Sequence, residues 1–286
     1  MEMSDPSRSI KRGAASAIML IFLVTRALAQ NTDASADAAN VDLCNGNVDK
    51  SVESQIVGCT ALIKAAVDSP KVQAVAYNNR GNAYTRKGQY DLAIADYDEA
   101  LKINTDYFKA MNNRGVAYQK KQDYDHAIKD FDAAINIDQD YANAYANRAI
   151  AYEKMGDYSD ALKDFDKALE LQPTLTVLLN DRCWTRARVD QLTAAMADCN
   201  QAVQLGPTAA AFDSRGFTNL KLGQWTSAVG DYNSALRIDP KLPSALYGRG
   251  FAKLKMGDRT GGSADISTAV SIEQDIQSKF VEYGLH

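Results

Sequence analysis

One block of sequence recurs along this chain at a constant period, and that recurrence limits the possible folds more than any other feature. The segment from Asn78 to Ile103 reads NNRGNAYTRKGQYDLAIADYDEALKI. Its first four letters return as NNRG at Asn112 and as ANRA at Ala146, in two equal steps. Weaker copies surround three further arginines, Arg182, Arg215 and Arg249. A fixed period of roughly 20 to 50 residues is typical of a protein built from stacked repeats.

Each copy predicts two short helices joined by a turn. Tyr77, Gly81 and Tyr84 are spaced to lie on one face of a first helix. Gly88 interrupts this pattern and marks the turn. The apolar stripe of a second helix follows between Ala93 and Leu101. Because neither helix can bury its stripe alone, neighbouring copies must stack on one another.

The pattern resembles the tetratricopeptide repeat, whose signature places an aromatic residue, a Leu-Gly pair, Tyr, Ala, Phe and Pro at fixed offsets. In the first copy these positions hold Tyr77, Arg80-Gly81, Tyr84, Ala93, Tyr97 and Thr105. In the third copy they hold Tyr145, Arg148-Ala149, Tyr152, Ala161, Phe165 and Pro173. The six copies cover residues 74–107, 108–141, 142–175, 176–208, 209–242 and 243–276. The resemblance implies an all-α fold, an α-solenoid of six stacked helical hairpins with an N-terminal capping hairpin and a C-terminal solvating helix.

An arginine replaces the usual leucine of the signature, and an aspartate follows it at the same spacing in every copy. The pairs are Arg80 and Asp96, Arg114 and Asp130, Arg148 and Asp164, Arg182 and Asp198, Arg215 and Asp231, and Arg249 and Asp265. We predict one partly buried, hydrogen-bonded ion pair in each hairpin. The alternative is a ladder of arginines that binds anions. We prefer the structural role, because the acid recurs with the base and would neutralise it.

The N-terminal segment, 1–29, predicts a secretory signal peptide. Its positively charged start contains Arg8, Lys11 and Arg12. An apolar run over 14–24 follows, with a small-x-small cleavage site at Ala27-Leu28-Ala29. The run is too short to span a bilayer, although Arg26 leaves open the retention of this leader as an anchor. We expect an exported protein with no membrane span after cleavage, in the bacterial periplasm or, alternatively, secreted to the medium.

The segments outside the copies are expected to close the two ends of the array. The predicted layout is a polar spacer without fixed structure over 30–42, an N-terminal capping segment over 43–73, the six copies over 74–276 and a C-terminal capping helix over 277–286. A helix from Ser54 to Ala65 is expected in the first cap. In the second cap Ile276, Phe280 and Tyr283 recur at helical spacing. Terminal repeats are atypical because one of their faces meets water.

Four cysteines fit an exported, oxidising compartment, and they allow three pairings. Cys44 and Cys59 both lie within the first cap. In the fourth copy, where Asp190 replaces the turn glycine, Cys183 holds the small-residue position of the first helix, and Cys199 holds the aromatic position that faces it. We predict disulfides Cys44–Cys59 and Cys183–Cys199. A metal site is the alternative, but the sequence has no CxxC pair to support one.

In the family, the first helices of successive hairpins line a concave groove, and the resemblance places two rows of side chains there. The row directly before the arginines contains Asn79, Asn113 and Asn147, then Asp181, Ser214 and Gly248. The row two positions after them contains Asn82, Val116, Ile150, Trp184, Phe217 and Phe251. The asparagines either hold a peptide backbone through their amides or are simply solvated. The aromatics either anchor a ligand or pack between helices; we favour packing for Phe217 and Phe251 and ligand contact for Trp184.

A cation stands at a constant offset after each arginine, at Arg86, Lys120, Lys154, Arg188, Lys221 and Lys255. These side chains form a basic groove edge for an acidic partner, or they meet the negative end of the first-helix dipole, which we favour. The family's clamp for a terminal carboxylate is incomplete here. Its asparagine roles suit Asn82 and Asn113, but its cation positions hold Asn78, Asn143 and Asn147.

Composition and motifs argue against catalysis and nucleic-acid binding. The formal net charge is −4, the only histidines are His126 and His286, and no phosphate loop or nucleophile elbow occurs. We expect no cofactor and no metal. The predicted function is a monomeric, non-enzymatic scaffold or adaptor that binds an extended peptide or protein segment in the groove, with a glycan ligand left open. The alternative is a structural component of a cell-envelope or polysaccharide-export assembly that uses its convex face or its ends.

Overall fold

A computed structural model describes residues 38–47, 51–66 and 68–285, and the regular structure within these ranges is entirely α-helical. The helices are α1 (38–45), α2 (Val52–Ala65), α3 (Pro70–Arg86), α4 (Tyr90–Ile103), α5 (Phe108–Lys120), α6 (Tyr124–Ile137), α7 (Ala142–Met155), α8 (Tyr158–Leu171), α9 (Thr176–Arg188), α10 (Leu192–Leu205), α11 (Ala209–Lys221), α12 (Trp225–Ile238), α13 (Pro243–Lys255), α14 (Arg259–Ile272) and α15 (Ile276–Glu282). The predicted signal peptide, 1–29, lies outside the described residues.

The chain divides after Lys121 into two compact units, and each unit is a stack of helical hairpins. In the first unit α2 packs on α3, α3 on α4, α4 on α5, and α3 also contacts α5. In the second unit each helix from α6 to α13 packs on the next. The first helices α9, α11 and α13 also contact their neighbours in that series, so they form one layer. The predicted all-α solenoid class is therefore confirmed.

Within a hairpin, a glycine of the first helix makes room for an aromatic ring of the second. A Cβ atom on Gly81 would lie 2.6 Å from Cε1 of Tyr97, and one on Gly216 would lie 2.9 Å from Cε1 of Tyr232. Both rings are buried. In these two hairpins only a residue without a side chain permits the approach.

A residue in the left-handed conformation follows the first helix of these hairpins. Four of the residues are glycines, Gly88, Gly156, Gly223 and Gly257. The other two are Gln122 and Asp190, with φ of 63° and 61°. Asp190 therefore adopts the turn predicted for it, at a conformational cost that glycine avoids.

The N-terminal cap begins earlier than the sequence predicts. The sequence predicts a spacer without fixed structure over 30–42, but residues 38–42 form the start of α1. Gly58 allows α1 and α2 to meet, because a Cβ atom there would lie 2.5 Å from the Cβ of Leu43. The predicted disulfide joins the same two helices, with the Sγ atoms of Cys44 and Cys59 2.07 Å apart. Apolar contact and a covalent link thus order a segment whose composition alone predicts disorder.

The last helix, α15, lies across the layer of first helices in the second unit. The Phe280 ring centroid is 4.6 Å from that of Tyr247 on α13 and 6.1 Å from that of Phe217 on α11. Tyr283 reaches Trp184 of α9 with a centroid separation of 5.4 Å. The sequence predicts a capping helix with this apolar face. It does not predict that the helix and the residue after it would contact the first helices of three copies. Among the described helices, none is both long enough and apolar enough to cross a lipid bilayer.

Candidate functional site

The recurring arginine and aspartate form bidentate ion pairs. Arg80 donates from Nε to Asp96 Oδ2 at 2.8 Å and from Nη2 to Asp96 Oδ1 at 2.7 Å. Two or more such bonds also join Arg148 to Asp164, Arg182 to Asp198, Arg215 to Asp231 and Arg249 to Asp265. These aspartates are buried, so a guanidinium partner offsets the cost of keeping each one charged. Arg114 and Asp130 belong to different units, and their pairing stays a prediction.

From the second copy onward, each arginine also bonds to the copy before it, a contact that the sequence analysis did not anticipate. Arg182 Nη1 donates to Asp166 Oδ1 at 2.8 Å, and Arg249 Nη1 donates to Asn233 Oδ1 at 2.9 Å. The same contact joins Arg114 to Asp98, Arg148 to Asp132 and Arg215 to Asn200. The acceptor is always Asp or Asn, two positions after the recurring aspartate of the preceding copy. The arginines therefore connect copies and do not present a free anion-binding row.

The asparagine row of the first unit forms a chain of side-chain amides. Asn113 Nδ2 donates to Asn78 Oδ1 at 3.0 Å, and Asn78 Nδ2 donates to Asn79 Oδ1 at 3.3 Å. Asn79 Nδ2 in turn donates to Asn45 Oδ1 at 3.0 Å, at the end of α1. These amides hold neighbouring helices together, so a peptide backbone would have to displace bonds that already exist. Asn147 belongs to the second unit, and its proposed role in a ladder is not tested by these contacts.

The other predicted contact residues of the first unit are only partly available to a ligand. Asn82 Oδ1 accepts a hydrogen bond from the Tyr97 hydroxyl at 2.8 Å. Val116 is partly buried on α5. Arg86 and Lys120 are exposed, and Arg86 donates to the side chain of Gln55.

The aromatic row of the second unit mostly packs within the protein. Phe217 is 1% exposed, and its ring centroid lies 4.8 Å from that of Trp184. Phe217 therefore packs between the layer of first helices and α15, the alternative that the sequence analysis favours for it, and its contact with a ligand stays an untested hypothesis. Phe251 is partly buried, with its ring centroid 6.3 Å from that of Trp225. Trp184 packs on Phe217 and on Tyr283. It also borders a cavity that lies on the layer of first helices in the second unit, next to α15.

Two of the predicted groove-edge cations hold α15 in place. The Arg188 guanidinium lies 4.5 Å from the ring centroid of Tyr283 and pairs with Glu282 at 3.3 Å. The Lys221 side chain is only 7% exposed, pairs with Asp190 at 2.8 Å and donates to the Tyr283 carbonyl at 3.0 Å. Both cations are therefore engaged within the protein, and a basic edge that includes them stays an untested hypothesis.

The other two groove-edge cations of this unit are exposed. Lys255 Nζ lies 5.1 Å from the ring centroid of Phe251. Lys154 borders the cavity on α7. Of the four cations that the sequence placed along this part of the groove edge, Lys154 is therefore the one that lies beside this cavity.

The second disulfide lies within the α9–α10 hairpin. Cys183 and Cys199 are fully buried and their Cα atoms are 5.4 Å apart. Thr218 Oγ1 of the next first helix lies 3.7 Å from Cys183 Sγ. The pair takes the place of the small residue and the aromatic ring that fill this position in other hairpins, as the sequence predicts.

A cavity of about 550 Å³ lies on the first-helix layer of the second unit. Its wall is contributed by α7, α9, α11, α13 and α15. Ile150, Trp184, Ile276, Phe280 and Tyr283 supply apolar surface. Its polar lining comprises Glu153, Lys154, Asn180, Asp181, Asp213, Ser214, Ser244, Glu273 and Lys279. The cavity thus combines aromatic surface with acidic groups.

Three acids of this cavity have raised pKa values, because burial disfavours their charged forms. The pKa of Asp181 is raised to about 6, with a smaller contribution from the charge of Glu153. The pKa of Asp213 is raised to about 7. Burial also raises the pKa of Glu153. Each acid therefore has a carboxylate that is easier to protonate than one in water.

Hydroxyl groups provide much of the local bonding to these acids. Ser244 Oγ donates to Asp213 Oδ2 at 2.8 Å, and Thr185 Oγ1 donates to Glu153 Oε2 at 3.4 Å. Sequence reasoning placed Asp181 in the groove row but named neither Glu153 nor Asp213. One sequence signal could have identified them: each is an acid on a first helix, and no arginine precedes it at the spacing of the recurring arginine and aspartate pairs.

No three His, Cys, Asp or Glu side chains within the described part of the chain come together in a way that could hold a metal ion. The His126 ring is exposed and bonds to Asp123, the N-cap residue of its own helix.

Comparison with known families identifies the repeats. A family model described as the tetratricopeptide repeat matches residues 142–175. A second, described as the TPR repeat, matches residues 81–122, 120–156 and 219–257. The fourth copy, 176–208, lies outside these segments, in line with the loss of its signature tyrosine at Arg186. No curated protein matches the sequence at a significant level.

Solved structures share the fold at low sequence identity. A tetratricopeptide repeat protein from Parabacteroides merdae ATCC 43184 matches with a TM-score of 0.65 and 17% identity, over 87% of this chain and 99% of that chain. PilW, a type IV pilus biogenesis factor, matches with a TM-score of 0.65 and 20% identity, over 72% and 98% of the two chains. PilF of Pseudomonas aeruginosa matches with a TM-score of 0.63 and 15% identity, over 73% and 97%. These likenesses establish the fold, and the matched copies of this chain are tetratricopeptide repeats.

Proposed function

We propose that this chain is a non-enzymatic scaffold that binds an extended segment of a protein partner at the cavity of its second unit. Proteins built from tetratricopeptide repeats are generally protein-interaction scaffolds. The observation that carries the proposal is the cavity of about 550 Å³ on the first-helix layer. Its volume lies within the range of pockets that bind small molecules and side chains in other proteins.

The shape and chemistry of the cavity favour a chain segment as the ligand. Its lining extends from Ile150 on α7 to Tyr283 beyond α15, so a ligand can contact several copies at once. Aromatic and aliphatic side chains stand beside carboxylates and hydroxyls. A peptide combines apolar side chains with backbone donors and acceptors, and it can satisfy both kinds of surface.

The proposed site differs from the asparagine ladder predicted from the sequence. In the first unit Asn78, Asn79 and Asn113 already bond to one another. In the second unit the row before the arginines continues with Asp181, which lines the cavity. Binding at the second unit therefore does not require the loss of the amide bonds that hold the first-unit helices together.

A second candidate is a role in a cell-envelope assembly, outside the cytoplasm. Two cysteine pairs at disulfide distance favour an oxidising compartment for the folded chain. One structural match, PilW, is described as a type IV pilus biogenesis factor, although its identity of 20% supports the fold alone. The exported location predicted from the leader is consistent with this candidate and with the first.

Photo-crosslinking in cells tests the proposal and separates the two candidates. A photoreactive amino acid replaces Lys154, which is exposed at the rim of the cavity, and in a matched control it replaces Lys129, which is exposed on the second helix α6. The proposal expects a discrete protein adduct from position 154 and none from position 129. Adducts from position 129 alone would favour assembly through a different surface. Absence of any adduct at position 154 would refute binding at the cavity.

A further inference from the structure

We infer that the cavity recognises a cationic side chain, a lysine or an arginine, of the bound segment. This inference rests on the proposed function, because it specifies the ligand of the same site. It follows from the carboxylates that line the cavity without a cation at ion-pair distance, and from the aromatic wall of the same cavity. Each of these features favours the same ligand chemistry.

The cavity acids differ from the other buried acids of the unit in their partners. Asp164 and Asp198 each accept two bonds from an arginine side chain. By contrast, within the described ranges no basic group lies at ion-pair distance from Glu153, Asp181 or Asp213. A carboxylate that is shielded from water is stable in its charged form only when a cation or several donors face it. The missing cation is therefore expected from the ligand.

The charges around these acids leave an acidic excess. Lys154 lowers the pKa of Glu153 and of Asp181, and Arg188, which is paired with Glu282, also lowers that of Glu153; neither cation is at ion-pair distance from these acids. Lys279, the other lysine of the lining, is bound to Glu273 and Asp275. The remaining titratable neighbour of Asp213 is the buried hydroxyl of Tyr232, which is neutral at physiological pH.

An unsatisfied acceptor lies beside Asp181. Asn180 lines the cavity, and its side-chain oxygen is buried and accepts no hydrogen bond from the described residues. The amide nitrogen of the same side chain donates to Asp181 Oδ1 at 3.5 Å. The partner of the Asp181 carboxylate is thus a neutral amide and not a cation, so a ligand that brings N–H donors to this carboxylate gains affinity at this point. Ammonium and guanidinium groups carry three and five N–H donors and accept none.

The apolar wall suits the rest of such a side chain. Trp184, Phe280 and Tyr283 line the same cavity as the acids on α7 and α11. Lysine and arginine have apolar stems that pack on hydrophobic surface, and their cations are attracted to aromatic faces. Arg188 already lies 4.5 Å from the centroid of the Tyr283 ring, so a ring of this wall is shown to accept a guanidinium.

A titration with small cations tests the ligand chemistry directly. The probe is N-acetyl-arginine amide, and the matched control is N-acetyl-citrulline amide, which has nearly the same shape and no charge. Binding is followed on the unaltered chain by the indole N–H signals of Trp184 and Trp225 in a ¹H–¹⁵N spectrum. Trp184 borders the cavity and Trp225 does not, so Trp225 is an internal control. We expect a saturable shift of the Trp184 signal with the arginine amide alone.

A variant chain then links this binding to the acids. Asp181→Asn with Asp213→Asn removes two of the three carboxylates, and Glu170→Gln on α8 removes an exposed acid as the control. We expect the double variant to weaken binding of the arginine amide at least about tenfold and the control to leave it unchanged. If the double variant does not fold, the comparison of arginine with citrulline on the unaltered chain decides alone.

Two results would overturn the inference. One is an equal response to arginine and citrulline amides, and the other is no response of Trp184 up to about 10 mM probe, beyond the range of a specific site. Crosslinking from position 154 keeps this failure apart from failure of the proposed function. An adduct that persists in the double variant means that the cavity binds its partner without a cation. Loss of the adduct in the double variant supports the inference.

Discussion

The guanidinium of Arg188, at the end of α9, lies 4.5 Å from the centroid of the Tyr283 ring, just beyond α15. The same arginine pairs with Glu282 at 3.3 Å. The end of α9 is thus joined to the segment around α15, and α10 and two complete hairpins lie between them in the sequence. Because α15 also lines the cavity, the position of this short helix sets the shape of the proposed binding site. A helix of seven residues is not stable by itself, so its order depends on such contacts.

Replacement of Phe280 by alanine is expected to release α15. Phe280 is 2% exposed and its ring contacts Tyr247 and Phe217, so its loss should lower the free energy of unfolding by about 3 kcal/mol. Urea unfolding followed by tryptophan fluorescence measures this change. The matched control is Val281→Ala, one position along the same helix but 46% exposed, for which we expect less than about 0.5 kcal/mol. Equal effects of the two substitutions would show that α15 is not packed as described.

The repeat pattern predicts most of the fold because the same packing problem recurs in each copy. Gly81 against Tyr97 and Gly216 against Tyr232 are local solutions within one hairpin, and their spacing is visible in the sequence. The Arg148–Asp164 pair is predictable for the same reason, since base and acid recur together.

Features that depend on contacts between distant segments were not predictable in the same way. The apolar face of α15 is evident, but nothing in its sequence specifies that Phe280 would meet Phe217 of α11. That contact encloses Phe217. Glu153 and Asp213 stand on different helices, and only the stacking of copies brings them to one cavity. The fold is therefore predictable from the repeated pattern, whereas the candidate site depends on residues that do not recur in every copy.

The Cys183–Cys199 disulfide is expected to stabilise the fourth hairpin. Replacing both residues by alanine removes a link between positions that are 16 apart in the sequence, and we expect a loss of about 3 kcal/mol in the free energy of unfolding. Mass spectrometry of the denatured, alkylated protein checks the link, because no cysteine should react without a reductant. Alkylation of Cys183 in the unreduced protein would contradict it.

Breaking one ion pair from one side should destabilise the second unit. Asp164→Ala leaves Arg148 with Asp132 as its remaining ion-pair partner, and we expect a loss of about 3 kcal/mol, because a partly buried charge loses its main partner. Adding Arg148→Leu, which restores the usual residue of the repeat signature, should recover a large part of that loss. Thermal and urea unfolding of the two variants measure this coupling.

An exposed acid on the same helix provides the comparison for this ion pair. Asp160 pairs with Lys163 on the surface of α8, and Asp160→Ala should change the free energy of unfolding by less than about 1 kcal/mol. If Asp164→Ala has no larger effect than Asp160→Ala, the recurring pair contributes little, and the regularity of its spacing along the chain needs another cause.

The raised pKa of Asp213 makes stability depend on pH in a defined direction. Its pKa is raised from an ordinary value of 3.8 to about 7 in the folded chain, so between these values the folded state binds more protons than the unfolded state. This acid therefore favours folding at low pH, and its contribution is lost as the pH rises from about 4 to about 7. Asp213→Asn should raise the free energy of unfolding at pH 8 by roughly 2 kcal/mol, less than the full shift implies because the side chain is partly exposed. At pH 4 the substitution should have little effect.

Urea unfolding of the unaltered chain and of Asp213→Asn, at intervals between pH 4 and pH 8, measures this dependence. The difference between the two chains isolates Asp213, since Glu153 and Asp181 titrate in both. Glu170→Gln, which replaces an exposed acid of the same unit, should give a constant difference across the range. A stability difference for Asp213→Asn that is equally constant would show that the pKa of Asp213 is the same in the folded and the unfolded chain. A cationic ligand should reduce the difference at pH 8, because it stabilises the charged carboxylate that the substitution removes.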